Sequence, residues 1–350
     1  MAQTFSSTTT VTGILTSATV AWGGTLNVIS GGEVISTSLQ EDGEQAGDPI
    51  VNVSSGGSAL STVVRSGGGL IVFDGGTAAK SLIDYNGVLS VEGGGQASQS
   101  TITAGGIELV QAGGISTGST IIGGLGQGTT INLLGFAEGR QLVVSGGVVN
   151  DSSIESGGIL DVFNGGSAFN ATISTSGTSI VHKDGISQNL IIQNGGEAIV
   201  EAGGTLDGAI VEAKGTLLAL PGAVVSAVSG SGTIIAGGVA NVVNQEGNAP
   251  KITYYGTTQT GGQLASSATD YALVGGQINS LTVSNSGTVI AYSGGMLNSD
   301  VIEALGTAIT TGGIAHNLII ASGGAATLSA GGQNFNTVVE AGGSQAVLFN

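Results

Sequence analysis

Acidic side chains are the residues of this sequence whose types and spacing could support catalysis. Asp151 lies four residues before Glu155, and Glu201 lies six residues before Asp207. Glycoside hydrolases use two carboxyl groups about 5–9.5 Å apart, one of them as the acid. Each of these acids stands alone in a segment that alternates like a β-strand, which favours isolated acids on a solvent-facing surface. We therefore expect no catalytic pair and no enzymatic activity.

A second acidic group has the atoms that bind calcium. Asp42, Glu44 and Asp48 lie close together, and carboxylate oxygens are preferred Ca²⁺ ligands. The glycine- and aspartate-rich repeat of calcium-binding β-helices is missing from the sequence, so a solvated acidic interaction loop is the preferred interpretation. The sequence has no cysteine, which excludes thiolate metal sites. We expect neither a metal nor a cofactor.

The histidines and aromatic residues offer a contact surface rather than a catalytic group. His182 and His316 lie far apart along the chain, whereas a Ser-His-Asp triad needs a fixed cluster. Tyr254 and Tyr255 are the best candidates for an exposed aromatic contact with a carbohydrate, with local packing as the alternative. Trp22 is interpreted as a cap on the first repeat.

Composition excludes several classes of protein. The chain has 350 residues, 66 of them Gly, with 8% charged residues and a formal net charge of −17. A negative chain lacks the basic footprint of nucleic-acid binding, and an anionic membrane would repel it. No apolar run is long enough for a transmembrane helix. Gly, Ala, Ser, Thr and Val dominate, which indicates a thin core repeated many times.

A 19-residue repeat runs through most of the chain. Glycine pairs recur at alternating short and long intervals, as at Gly56, Gly67 and Gly75, and one long plus one short interval make one repeat. Three sets of side chains keep the same period. They are Val64, Ile83, Ile102 and Ile121; Val72, Val91 and Val110; and Ala59, Ala78, Ala97 and Ser116. Further copies follow from Ile154 and from Val283, with a one-residue slip before Ile320.

This period predicts an all-β, right-handed parallel β-helix (a solenoid) with 19-residue coils. Segments between glycines are short, alternate with period two and are rich in β-branched residues, which favours strands. Equivalent positions recur in one direction, so each strand pairs in parallel with its copy in the next coil. Parallel crossovers are nearly always right-handed. Thr62, Ser81, Ser100 and Ala171 are expected to point outwards as an irregular ladder, which argues against an ice-binding surface.

Three interruptions divide the chain. We expect N-terminal coils with an acidic insertion and a cap over residues 1–55, a regular β-helix over 56–220, an irregular insertion or bend over 221–272, and a second regular β-helix over 273–350. A further interruption, between Gly124 and Gly146, carries Phe136, Glu138 and Arg140. Insertions in repeat proteins map to loops on an outer face, which is often the binding face.

The repeat resembles that of the AIDA-type passenger domains of bacterial autotransporter adhesins. Gly56–Gly68 and Gly94–Gly106 both fit the pattern Gly-Gly-x-Ala followed by Thr and Val or Ile before the next glycine pair. The resemblance covers about two thirds of the chain. Some members carry heptose on repeat serines, and Ser61, Ser81 and Ser100 lie in comparable places. The sequence shows neither a signal peptide nor a C-terminal translocator domain, so we expect a passenger fragment or export by another route.

The resemblance implies an extracellular protein on a bacterial cell surface, attached to the outer membrane or secreted. Its implied role is adhesion, aggregation or biofilm formation, and thus virulence. The expected partners are further copies of the chain or glycans of a host-cell surface, without nucleic acid and without membrane insertion. The alternative is a β-helical protein that binds or degrades polysaccharides, which predicts a cleft with clustered acids within 221–272.

Overall fold

The computed structural model describes residues 3–39, 47–65, 67–103, 105–122, 139–243 and 250–348. Within these ranges all regular structure is β, and there is no helix that could cross a membrane. The described chain forms two compact units. Unit 1 holds the residues up to Leu217 and Gly222–Thr233; unit 2 holds Leu218–Pro221, residues 234–243 and residues 250–348.

Three parallel sheets follow the chain through unit 1, and each coil contributes one strand to each sheet. The short strands of sheet A are Thr4–Phe5, Thr19–Val20, Ser38–Leu39, Val63–Val64, Leu82–Ile83, Thr101–Ile102, Thr120–Ile122, Ser153–Glu155, Thr172–Ile173, Ile191–Ile192, Ile210–Val211 and Ser229–Gly230. The longer strands of sheet B are Thr8–Val11, Thr25–Val28, Ile50–Val53, Gly69–Val72, Val88–Val91, Ile107–Val110, Arg140–Val143, Ile159–Val162, Thr178–Val181 and Glu197–Val200. The strands Thr216–Ala219 and Thr233–Ile235 follow along the chain, and each includes residues of both units. The strands of sheet C are Ile14–Thr16, Glu33–Ile35, Ser58–Leu60, Thr77–Ala79, Gln96–Ser98, Ile115–Thr117, Val148–Asn150, Ser167–Phe169, Ile186–Gln188, Thr205–Asp207 and Val224–Ser226.

Three further sheets build unit 2. Sheet D, in spatial order, is Lys251–Gly256, Val239–Val243, Ala268–Ala272, Thr288–Ala291, Thr307–Thr311, Ala325–Ser329 and Ser344–Val347. Sheet E is Thr258–Thr260, Gln277–Asn279, Met296–Asn298, Ile314–His316 and Gln333–Phe335. Sheet F is Gln263–Leu264, Thr282–Val283, Val301–Ile302, Ile319–Ile320 and Val338–Val339.

The predicted stacking is confirmed. Val64 pairs with Ile83, Ile83 with Ile102 and Ile102 with Ile121, and all four side chains are fully buried. Alanine positions stack in the same way in sheet C, from Ala59 onwards. Burying one Val or Ile side chain stabilises by roughly 1.5–3 kcal/mol, so the stacked columns form a continuous core. The chain is a parallel β-helix with the predicted 19-residue spacing.

The orientation predicted for Thr62, Ser81, Ser100 and Ala171 is wrong, because all four side chains are buried. In each case the preceding residue occupies the left-handed region, as in Ser61, whose φ is 54°. This residue turns the chain at the corner between sheet C and sheet A, and the next side chain therefore points into the core. Strand alternation does not continue through such a corner, and small residues fill the narrow space inside it.

Unit 2 begins with antiparallel pairing before its parallel coils start. Val239–Val243 pairs antiparallel with Lys251–Gly256 on one side and with Ala268–Ala272 on the other. From Ala268–Ala272 onwards, the strands of sheet D pair in parallel. The coil between Val301–Ile302 and Ile319–Ile320 is one residue shorter than its neighbours, which is the predicted slip.

Candidate functional site

Of the predicted interaction residues, the structure describes Asp48, Tyr254 and Tyr255. Asp42 and Glu44 lie outside the described residues, and Asp48 is exposed shortly before the strand Ile50–Val53. Tyr254 and Tyr255 lie on the strand Lys251–Gly256 and are 45% and 44% exposed. Across the described ranges, no group of three or more His, Asp or Glu side chains is arranged to hold a metal ion.

The carboxylates suggested as catalytic pairs are each bonded to another side chain. The bonds are Asn170 Nδ2 to Asp151 (3.1 Å), Ser153 Oγ to Glu155 (2.9 Å), Ser226 Oγ to Asp207 (2.6 Å) and His182 Nδ1 to Glu201 (3.0 Å). Three of these four partners are neutral, so the carboxylates take part in local surface contacts.

The serines named for modification do not occupy equivalent places. Ser81 and Ser100 belong to the inward column behind the corner and are buried. Ser61 is the corner residue itself and is only half-buried. Ser81 and Ser100 are therefore closed to a modifying enzyme in the folded chain.

A charged network surrounds His182 on sheet B of unit 1. Its Nε2 lies 3.1 Å from Asp161 Oδ1, and Arg140 Nη1 donates to Asp161 Oδ2 at 2.7 Å. The imidazole stacks on Phe163 with ring centroids 4.4 Å apart. Burial lowers the pKa of His182, but hydrogen bonds to Asp161 and Glu201 outweigh it and raise the pKa to about 9. The protonated ring thus neutralises a nearly buried carboxylate, which is a structural role.

A buried carboxyl group also lies within the core of unit 1. Glu108 pairs with Leu89 of the previous coil, at an inward position, and is fully buried. It accepts hydrogen bonds from Ser116 Oγ at 2.8 Å and from Gln141 Nε2 at 2.6 Å. Burial raises the pKa of Glu108, and these bonds offset only part of that effect. The site is closed to solvent.

A cavity of about 530 Å³, open to solvent on one side, lies at the first coil of unit 2. Asp270 is among the residues around it but is itself fully buried. Its Oδ1 accepts from Asn241 Nδ2 at 2.5 Å, and its Oδ2 accepts from Gln259 Nε2 at 2.8 Å. Burial raises the pKa of Asp270, and the two amide hydrogen bonds partly offset this. Of the described residues that line the cavity, Asp270 is the single carboxylate.

A β-bulge places Tyr255 at this cavity. Val239 pairs with Gly256 and Ala240 pairs with Tyr254, so Tyr255 is the extra residue with no partner across the ladder. A bulge redirects the side chain that it carries. Tyr255 lines the cavity, whereas Tyr254 is not among its lining residues. Burial and the charge of Asp270 raise the pKa of Tyr255, so its phenol is neutral.

A second buried aspartate follows in the next coil. Asp300 is fully buried and its Oδ1 accepts the Leu281 backbone N–H at 2.7 Å, while Oδ2 has no hydrogen-bond partner among the described atoms. Burial raises the pKa of Asp300 to about 7, and the charge of Asp270 adds to this effect.

Rows of polar side chains run along the outside of unit 1. Asp151, Asn170 and Asn189 occupy the same corner in successive coils and are exposed. Asn170 donates to Asp151, and Asn189 Nδ2 donates to Asn170 Oδ1 at 3.1 Å. These three residues form what we call the amide ladder. Shorter rows of the same kind join Asn52 to Asn27 and, in unit 2, Asn298 to Asn279.

Comparison with known proteins supports the fold. No family model and no curated protein sequence matches this chain. The crystal structure of a TibA fragment, hyper-glycosylated by TibC catalysis, matches with a TM-score of 0.55 and 24% identity, over 99% of this chain and 95% of that chain. A mutant of the PL6 family alginate lyase AlyGC reaches a TM-score of only 0.26, with 9% identity over 100% of this chain and 77% of that one. A TM-score this low does not indicate a common fold.

The chain is thus a parallel β-helix of the kind found in the TibA fragment. This likeness agrees with the resemblance of the repeat to AIDA-type passengers, and at 24% identity it shows the fold alone.

Two groups of polar residues were missed from the sequence. The 19-residue step from His182 to Glu201 would have revealed the charged network, since both follow equivalent strands of sheet B. No spacing in the sequence pointed to the contact between Asn241 and Asp270, because these residues meet through antiparallel pairing outside the repeat.

Proposed function

We propose that this chain is an extracellular adhesin of a bacterial cell surface that associates with further copies of itself. The observation that carries the proposal is the exposed amide ladder Asp151, Asn170 and Asn189. Side-chain amides both donate and accept hydrogen bonds, and here they recur at the spacing of the coils. A second copy in register meets these groups in three successive coils at once, and weak contacts add up to useful avidity.

The distribution of charge favours the same function. Charged residues are only 8% of the chain although its net charge is −17, so neutral hydroxyl and amide groups make up much of the polar surface. Within the amide ladder only Asp151 is charged, so this face adds little to the repulsion that the net charge causes between two copies. The AIDA-type repeat and the likeness to the TibA fragment support a location outside the cell, on the outer membrane or released from it. Biofilm formation and adhesion to host cells follow as the proposed roles, without catalytic activity.

A clumping assay tests this proposal. The chain is displayed on a bacterium that does not aggregate, and settling is followed by turbidity. Asn170→Lys/Asn189→Lys places like charges along the amide ladder, at a corner where Lys80 is already tolerated. We expect cells with the parent chain to clump and cells with this variant to clump several-fold less.

The matched control is Thr175→Lys/Asn194→Lys, which adds the same charge at exposed positions in the turns between sheets A and B. We expect it to clump like the parent. Absent clumping by the parent, or equal loss in both variants, would contradict association through the ladder. New chain ends released from acidic polysaccharides during incubation with the protein would instead favour the enzymatic alternative.

A further inference from the structure

Two opposite charges stand in one column at the corner between sheet C and sheet A of unit 1. Each coil places one left-handed residue at this corner, and the pairing of the preceding strands sets these residues one coil apart. From Lys80 the column continues with Gln99, Gly118 and Asp151. Three strand spacings, about 14 Å in all, separate the two charged residues. They are therefore too far apart to form an ion pair within one chain.

The surface beside this column is neutral. Seven consecutive strands of sheet C, from Ser58–Leu60 to Ile186–Gln188, contain no charged residue. Lys80 and Asp151 are both exposed. Asp151 accepts a hydrogen bond from the neutral amide of Asn170, and Lys80 takes no part in the ion pairs of the described residues. Both charges are therefore free to contact a partner.

The turn at the corner does not account for the lysine. The left-handed region favours Gly, Asn and Asp, and the column has these types at Gly118, Asp151, Asn170 and Asn189. Lys80 adopts a φ of 55° without that advantage. Its positive charge is thus the property that distinguishes this position from the rest of the column.

We propose that two copies of this chain associate antiparallel along the corner column, with Lys80 of each copy facing Asp151 of the other. This inference rests on the proposed self-association and names the residues that give it direction and register. A two-fold interface uses the same patch on both copies. An axis between Gln99 and Gly118 therefore forms the contact between Lys80 and Asp151 twice.

The amide ladder agrees with this pairing. One coil beyond Asp151, Asn170 faces Ser61 of the second copy, and in the next coil Asn189 faces Ser36. Side-chain amides and hydroxyl groups both donate and accept hydrogen bonds. Each ladder amide thus meets a group with which it forms a hydrogen bond, and no like charges meet along the column.

A parallel arrangement in register is less favourable. It sets Lys80 against Lys80 and Asp151 against Asp151, and like charges across an interface act against that arrangement. The antiparallel pairing replaces both repulsions with attractions. Because an exposed ion pair stabilises only weakly, the two charges determine direction and register, while the many neutral contacts supply avidity.

Reversal of each charge tests the pairing in the clumping assay. Lys80→Glu sets two negative charges face to face, and Asp151→Lys sets two positive charges face to face. We expect each variant alone to clump several-fold less than the parent, since the two-fold axis repeats every contact. Cells with Lys80→Glu and cells with Asp151→Lys, mixed in equal numbers, should clump together, because both contacts between the two variants join opposite charges. Two-colour microscopy measures the composition of the clumps.

Lys183→Glu and Asp184→Lys are the matched controls. They change the charge by the same amounts at exposed positions in a turn between sheet B and sheet C. Each should clump like the parent, and thermal unfolding confirms that every variant is folded. Where the parent clumps, parent-like clumping by folded Lys80→Glu or Asp151→Lys would overturn the pairing, and so would equal losses in the controls.

Cross-linking of the purified chain tests the direction without cells. The sequence has no cysteine, so Ser61→Cys and Asn170→Cys on separate chains each provide one thiol. Mixed at high concentration with a short bis-maleimide, they should give a covalent heterodimer. Asn170→Cys alone should give little dimer, because its two thiols lie five strand spacings apart, about 24 Å.

The cross-link also tells the two proposals apart. A homodimer of Asn170→Cys in the same yield as the heterodimer would contradict the antiparallel pairing. Clumping by the parent without the heterodimer would refute this inference alone. Absence of both the clumping and the heterodimer would refute self-association as well.

Discussion

At the scale of single residues, the unusual feature of the part of the chain that the structure describes is that three carboxyl groups occupy inward positions in its core. Glu108, Asp270 and Asp300 occupy inward positions and are fully buried. Burial raises the pKa of each of them. An acid whose pKa is higher in the folded state than in the unfolded state makes folding less favourable as the pH rises above the unfolded value. These three groups therefore lower the free energy of unfolding as the pH rises above about 4, the ordinary pKa of a carboxyl group.

Asp300→Asn isolates this effect. The pKa of Asp300 is about 7 when folded and about 3.8 in its ordinary state, so its destabilising effect begins above pH 3.8 and is complete above about pH 7. Asparagine keeps the acceptor for the Leu281 N–H and carries no charge. Each pKa unit is worth about 1.4 kcal/mol, so we expect the variant to be more stable by about 4 kcal/mol at pH 8 and nearly unchanged at pH 4. Urea unfolding at both values measures this, and an equal gain at both would contradict it.

These residues also show which features the sequence alone could not reveal. Asp300 stands one place before the strand Val301–Ile302, in the inward column behind the corner. Strand alternation predicts an outward side chain at this position, as it did for Thr62 and Ser81, so it could not reveal that Asp300 is buried. Tyr255 was predicted as a contact candidate from its residue type. Its direction could not be predicted, because it depends on a bulge between strands that lie outside the repeat.

At the scale of strands and turns, the glycine pairs have two different physical causes. Gly75 has a φ of 67°, which favours glycine at that turn. Gly76 does not have a positive φ, but a Cβ on it would lie 2.4 Å from the backbone oxygen of Val53 in the previous coil. The first glycine of this pair thus forms the turn, and the second permits the close stacking of coils.

Gly76→Ala and Gly69→Ala form a matched pair. The Cβ at Gly76 meets backbone atoms that cannot move alone, and we expect a loss of at least about 2 kcal/mol in the free energy of unfolding. Gly69 begins a strand of sheet B, and a Cβ there has no atom within 4 Å. Gly69→Ala should be neutral or more stable by about 0.4–1 kcal/mol, because alanine restricts the unfolded chain. Denaturant unfolding distinguishes them, and similar losses would contradict the stacking argument.

The elements themselves were largely predictable from the spacing. Side chains one repeat apart share a column in each of the three sheets, because parallel pairing repeats the same direction in every coil. The corners were not predictable from alternation, since one left-handed residue reverses the direction of the next side chain. The antiparallel start of unit 2 gave no periodic signal, and its strands were predicted only as an irregular stretch.

At the scale of the whole molecule, the coils stack even where the chain between them is longer. Ser38 pairs directly with Val63, and Thr120 pairs directly with Ser153, although each of these steps along the chain exceeds one ordinary coil. Extra residues are therefore accommodated without loss of register between the coils on either side. Each strand of the parallel ladders contacts its copies in the coils before and after it, so stability is a sum of neighbouring interfaces, as in other repeat proteins.

This property predicts that one coil can be removed intact. Deleting residues 76–94 joins Gly75 to Gly95 and takes out one 19-residue step, since Val63 pairs with Leu82 and Leu82 with Thr101. Ala59 then lies beside Ala97, Val64 beside Ile102 and Val72 beside Val110, which repeats the contacts already present. We expect the same circular dichroism spectrum and cooperative unfolding, with a modest loss of stability from one missing interface.

Deleting residues 76–85 instead removes one strand from each of two sheets and leaves a coil too short to enclose the core, so unit 1 should lose cooperative unfolding. Equal damage from both deletions would show that the coil is not the unit of stability.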